Sequence, residues 1–149
     1  MVKPSWSAYF MEMLPAIAAR SCDPNTKCSC VIVGPDHEIR STGYNGMPRG
    51  IVESADRLER PEKYFWIEHA ERNAIYNAAR CGTSLAGCTM YLSWVPCMDC
   101  ARAIAQAGIA VLVCDKATTD ARAGDPRWKP DFDRSTDLLR EAGVRVYWA

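Results

Sequence analysis

Apolar side chains recur at three- and four-residue steps through Trp6, Phe10, Met13, Leu14 and Ile17. That spacing predicts an opening helix from Ser5 to about Arg20, with Ser5 able to cap it and Pro15 a discordant residue late in the run. The pattern then changes. "CSCVIV" (28–33) and "IRSTGY" (39–44) are apolar or β-branched runs around the turn "GPDHE" (34–38), which predicts a hairpin. "NGMPRG" (45–50) reads as a loop, and 51–61 as polar and irregular. Residues 64–67 lead into a helix from about His69 to Cys81. "TMYLSW" (89–94) follows as a strand, then a helix over Cys97–Ala107 with Gly108 as its stop, then the strand "IAVLVC" (109–114). Lys116 to about Arg134 is a long polar stretch with two prolines and Trp128. A helix over Ser135–Ala142, stopped by Gly143, and a strand "VRVYW" (144–148) complete the series.

The predicted order is α-β-β-α-β-α-β-α-β. Strands joined by helices favour parallel pairing, and the first hairpin adds an antiparallel edge. The expectation is an α/β protein: a five-stranded mixed sheet with helices on both faces, in a single domain spanning 1–149.

Composition narrows the function classes. The 18 basic residues balance 18 acidic ones, so there is no bulk basic footprint for a polynucleotide. The first twenty residues lack a continuous apolar core and do not read as a signal peptide, and no run is long enough to span a membrane. These features place the chain in the cytoplasm, where its 8 cysteines read as free thiols, metal ligands or redox groups rather than disulfides.

The chemistry concentrates in "IEHAERNAIY" (67–76) and "WVPCMDC" (94–100). Zinc takes nitrogen from His and sulfur from Cys thiolate, and a catalytic site offers three protein ligands rather than four. His69, Cys97 and Cys100 make such a set; the other histidine, His37, falls in a turn. Cys97 and Cys100 are three apart at a helix start, so their sulfurs share a face, and Pro96 suits the helix entry. Two helix N-termini directed at one point favour negative charge there. Glu71 stands close to His69 and suits proton transfer. His-x-Glu followed by Pro-Cys-x-x-Cys is the zinc deaminase signature. Each half alone is weak: "HAE" occurs on ordinary helices, and a lone Cys-x-x-Cys also fits a redox pair.

The chain resembles the deoxycytidylate (dCMP) deaminases from about Trp6 to Trp148, through "DPNTK", "STGYNGMPRG", "EHAERNAI", "GCTMYLSWVPCMDCARAIAQAGI" and "LLREAGVRVY". The resemblance implies the three-layer cytidine-deaminase-like fold and hydrolysis of dCMP to dUMP and ammonia. It implies attack by zinc-activated water on C4, with Glu71 shuttling protons. It further implies that Asn45 contacts the substrate sugar and that the backbone of Ala70 contacts the base. It carries regulation by dCTP and dTTP, with Mg2+ beside the triphosphate, through the Gly43, Tyr44, Asn45, Gly46 loop and Arg80, and a hexameric homo-oligomer. Arg49, in the same loop, is a candidate for a phosphate, or a plain solvated arginine.

The sequence departs from that family in three places. "CSC" (28–30) replaces a commoner Val-Gly-Ala; core packing is the default reading, with a second metal site using Cys22, Cys28 or Cys30 left open. Trp94 stands where a smaller aliphatic residue is usual, and either packs in the core or lines the base pocket. The segments 53–64, with Arg57, Arg60 and Lys63, and 116–133 are expected to flank the pocket and to tune substrate choice. The alternative readings are the same zinc chemistry on a nucleoside, a modified dCMP or a purine base such as guanine; polynucleotide editing; and a non-catalytic sensor, against which Glu71 argues.

Overall fold

A computed structural model describes residues 2–149; Met1 lies outside them. The first helix, α1 (Trp6–Ala18), starts at Ser5, whose hydroxyl accepts from the Ala8 amide at 3.1 Å. Strands β1 (Ser29–Val33) and β2 (Ile39–Tyr44) form the antiparallel hairpin. Two short helices follow, α2 (Ala55–Leu58) and α3 (Lys63–Trp66), where the sequence pattern showed only an irregular segment. Then come α4 (Ala70–Cys81), β3 (Thr89–Leu92), α5 (Met98–Gln106), β4 (Val111–Cys114), α6 (Lys116–Ala123), α7 (Lys129–Glu141) and β5 (Arg145–Trp148).

The sheet order is β2-β1-β3-β4-β5, with β1 antiparallel to both neighbours and β3, β4 and β5 parallel. Alternation along the strands feeds two cores. Val31, Val33, Tyr91 and Val113 face Phe10 and Leu14 of α1, while Cys30, Ile32, Met90, Leu92, Leu112 and Cys114 face α4, α5 and α7. This makes three layers, with the sheet in the middle and helices on both faces. Gly82, Gly108 and Gly143, with φ of 67°, 75° and 79°, end α4, α5 and α7 in a conformation that disfavours side chains. No helix among the described residues is long and apolar enough to cross a membrane.

The polar stretch 116–134 is a correction. It is helical through most of its length, and α7 begins at Lys129 rather than Ser135. Pro130 lies in the first turn of α7, where its missing N–H breaks no helical bond. Asp115 caps α6 by accepting from the Thr118 amide at 2.6 Å. The strand predicted over 89–94 stops at Leu92, and Ser93–Trp94 turn away from the sheet.

Gly43 explains how β2 and α4 come so close. A Cβ there would lie 2.1 Å from the Ala70 carbonyl oxygen and 2.6 Å from the Ala74 nitrogen. Ser41 then donates to the Ala74 carbonyl at 2.6 Å, and Asn73 and Asn77 donate to the carbonyls of Tyr44 and Thr42 at 2.9 and 2.7 Å. The start of α4 is thereby fixed against the sheet edge.

Candidate active site

His69 is the N-cap of α4 and Cys97 the N-cap of α5, with Cys100 in the first turn of α5. Their donor atoms lie within 4.8 Å of one another, and each sulfur is 3.5 Å from His69 Nδ1. Neither cap residue uses its side chain to satisfy its own helix. Other residues do that work. Glu68 accepts from the His69 amide at 2.9 Å and pairs with Arg72, which also reaches Asp99 of α5 at 3.4 Å. Asp131 of α7 accepts from the Met98 amide at 3.0 Å, and Thr119 of α6 accepts from the Val95 amide at 3.2 Å. The loop that carries Cys97 is therefore braced by α6 and by the first turn of α7, both of which fall in the stretch the sequence pattern showed only as polar.

The electrostatics suit a divalent cation. Hydrogen bonds from Cys100 and His69 pull the Cys97 thiol well below its ordinary range, although burial opposes this. The Cys97 sulfur, burial and the Glu71 charge push the Cys100 thiol far up. Hydrogen bonding to Cys97 raises His69 against the opposing effect of burial. A half-buried and a buried sulfur this close do not both ionise without a positive charge between them. One imidazole and two thiols are donors that zinc favours, and the three protein ligands match an open site. The donor set therefore fits zinc. Glu71, in the first turn of α4, is buried, and that burial raises its carboxyl.

A cavity opens over these groups at the end of the sheet where β1 begins and β3 finishes. It is lined by His69, Ala70, Glu71 and Cys97, and around them by Asn45, Trp94, Arg60, Lys63, Tyr64 and Arg122. Asn45, Ala70 and Trp94 thus come together with the metal-ligating candidates. Trp94 also packs partly against the core, so it walls the cavity and the core at once. Asn45 is buried: its oxygen accepts from the Cys28 amide at 2.9 Å and its nitrogen donates to the Thr26 carbonyl at 2.8 Å. Arg49 is not part of the lining; it is exposed and donates to Asn77.

Of the proposed effector loop, Gly43 is buried against α4, Tyr44 is exposed, and Gly46 pairs its backbone with Glu68 at 3.1 and 2.9 Å. Arg80 is exposed in the last turn of α4. Cys30 is fully buried in the core, whereas Cys28 lines the cavity, where burial and then the Glu71 charge push its thiol up to about 12. Among the described residues, His69, Cys97 and Cys100 are the one group of three or more candidate donors close enough to hold a metal.

The sequence reading did not find the buried pair of Lys63 and Asp23, with Nζ 2.8 Å from both carboxylate oxygens and side-chain exposures of 5% and 6%. Lys63 Nζ also lies 3.3 Å from Asn25 Oδ1, and so ties α3 to the turn before β1. Burial alone would raise Asp23; the Lys63 bond, the Asn25 and Thr26 amides and the Lys63 charge together leave it lowered. Lys63→Met should cost about 3–5 kcal/mol, since it strands a buried carboxylate. The pair stabilises the fold above about pH 4, and its contribution is lost as pH falls through the lowered Asp23 value. Urea unfolding at pH 7 and pH 3 checks this: the variant's deficit should be large at pH 7 and shrink in acid.

An α/β sandwich that brings an imidazole, a thiol and a buried carboxyl to one cavity, with a second thiol buried beside them, has the construction of a zinc-dependent deaminase. Residues 4–116 match the model of the cytidine and deoxycytidylate deaminase zinc-binding region, and the chain belongs to that family. It is 38% identical over 143 residues to an uncharacterized deaminase in the luxG 3' region of Aliivibrio fischeri, covering 96% of this chain and 92% of that one. It is 50% identical over 141 residues to the deoxycytidylate deaminase of Enterobacteria phage T4, covering 89% of this chain and 67% of that one. The dCMP deaminase of cyanophage S-TIM5, solved in complex with dCMP and dUMP, superposes with a TM-score of 0.74 at 25% identity, covering all of both chains. The chain spans 63% of the length of the human deoxycytidylate deaminase that it matches.

Proposed function

We propose that this chain hydrolyses dCMP to dUMP and ammonia at the cavity lined by Glu71, His69 and Cys97. The observation that carries the reading is the buried Glu71 carboxyl at the same cavity wall as His69 and Cys97, which cluster with the buried Cys100 as three zinc-type donors. The relatedness to deoxycytidylate deaminases supports the choice of substrate.

His69, Cys97 and Cys100 would hold the zinc, which supplies Lewis acidity and makes water nucleophilic at neutral pH. Glu71 takes one proton from the attacking water and delivers it to N3 of the pyrimidine, then takes the second from the oxygen now bonded to C4 and gives it to the departing amine, leaving C4 as a carbonyl. One C4–O bond forms and one C4–N bond breaks. Burial favours the protonated form of Glu71, which helps it to retain the proton between those transfers. Ala70, buried at the start of α4, presents backbone to the base, and Asn45 braces the 26–28 turn beside the sugar end.

The reading extends to a cytoplasmic homo-oligomer, hexameric by resemblance, that responds to dCTP and dTTP with Mg2+ at the triphosphate. The exposed Tyr44 and Arg80, offered by β2 and by the α4 packed on it, support an effector surface away from the cavity. Gly43 would act there only through backbone, because it is buried.

The test is ammonia release by the zinc-loaded protein from dCMP, deoxycytidine and guanine at equal concentration. Strong preference for dCMP is expected. A preference for guanine or for the nucleoside would keep the zinc chemistry and move the substrate, with Trp94 the first residue to replace.

A further inference from the structure

The cavity contains more positive charge than its own carboxylates neutralise. Its charged lining comprises Asp23, Arg60, Lys63, Glu71 and Arg122 besides His69. Asp23 and Lys63 satisfy each other at 2.8 Å, and Glu71 belongs to the proton transfers. Two guanidiniums are left. Among the described residues neither Arg60 nor Arg122 has a carboxylate partner or a side-chain hydrogen bond. Arg40, Arg72, Arg102, Arg127 and Arg140 are ion-paired, and the unpaired Arg20, Arg80, Arg134 and Arg145 are exposed to water outside the cavity lining.

Arg122 is the more constrained of the two. It is half-buried on α6, and its guanidinium carbon lies 3.6 Å from the Trp94 ring centroid. Stacking uses the face of the guanidinium and leaves its in-plane N–H donors free. Burial disfavours its charge, and no carboxylate compensates. A half-buried arginine, held flat and left without an acceptor at a cavity wall, is arranged to meet an anion brought from outside. Arg60 lines the same cavity from the segment between α2 and α3, more exposed, at the rim.

We propose that Arg122, stacked on Trp94, is the specificity-determining contact for the substrate's phosphate, with Arg60 as a second cation at the rim. This rests on the nucleotide reading given above and adds the residues that enforce it. A guanidinium takes a phosphate dianion through two parallel N–H donors, and a nucleoside offers nothing in its place. Trp94, the substituted position two residues before the Pro-Cys motif, then has a function: it is the platform that fixes Arg122. Trp94 and Arg122 would thus work as one unit, drawn from two segments where this sequence departs from its relatives.

Arg122→Gln in the zinc-loaded protein should lower kcat/KM for dCMP roughly 10- to 100-fold, the range of one charge-assisted contact, chiefly through KM. The ratio of kcat/KM for dCMP to that for deoxycytidine should fall by that factor, while zinc content stays as in the parent. Arg122→Lys should recover part of the loss, because it keeps the charge but not the planar fork. Trp94→Leu should shift dCMP in the same direction by less. Equal losses on both substrates, or no loss on dCMP, would overturn the assignment. Calorimetric titration of dCMP and deoxycytidine into Glu71→Ala, with and without Arg122→Gln, separates this from the function itself. If dCMP is not deaminated but binds tighter than deoxycytidine through Arg122, the phosphate contact stands and the reaction fails. Equal binding of both ligands in the parent removes the phosphate contact.

Discussion

Cys97→Ala is expected to abolish both zinc retention and turnover. Among the described residues Cys97 supplies one of three clustered donors, so its loss leaves His69 and Cys100 with an incomplete shell. The loss of zinc affinity should exceed the ~10–100-fold that removing an outer-shell partner costs. Metal analysis after dialysis, beside activity, is the measurement. Cys81→Ala is the control: that thiol is exposed at the end of α4 and should leave zinc content unchanged. Full zinc in Cys97→Ala would remove Cys97 from the ligand set.

Glu71→Ala should separate chemistry from metal binding. A positioned general acid–base group contributes about 10²–10⁴ in rate, and Glu71 is assigned more than one proton transfer, so the loss should reach the upper end of that range. Zinc content should be normal. Stability should be equal or slightly higher, because burial disfavours the Glu71 carboxylate and the alanine removes that cost. Rate measurements paired with thermal unfolding check both halves. Substantial residual turnover would dismiss Glu71 as the proton carrier.

The elements legible in the sequence are those whose own pattern carries them. The β1–β2 hairpin, β4 and β5, and the helix stops at Gly108 and Gly143 follow from apolar and β-branched runs and from the left-handed conformation glycine tolerates. The clustering of His69, Cys97 and Cys100 was also foreseeable, because each sits at or near a helix start, where the chain direction is fixed by local spacing.

What escaped depends on contacts between distant segments. Segment 116–134 is polar apart from a thin apolar edge, yet Thr119, Trp128 and Phe132 bury or half-bury that edge against the site loop. A helix with so narrow a stripe gains its stability from packing rather than periodicity. Asp131 on the Met98 amide and Lys63 on Asp23 join residues 33 and 40 apart, and no local pattern announces either. Arg49 stands out by loop composition but lies outside the lining, whereas Arg60, Lys63 and Arg122 line the cavity from the two segments whose departure from the family pattern marked them as flanks. Trp94 was ambiguous in sequence because a tryptophan is large enough to do both things the structure finds: pack on the core and wall the cavity.

The most direct test of the central claim is the reaction of the purified zinc-loaded chain with dCMP in water enriched in oxygen-18, followed by mass spectrometry of the nucleotide and assay of ammonia. Hydrolysis at C4 predicts dUMP carrying one heavy oxygen at that carbon, and one ammonia for each dUMP formed. Unchanged dCMP under conditions where zinc is bound would contradict the account.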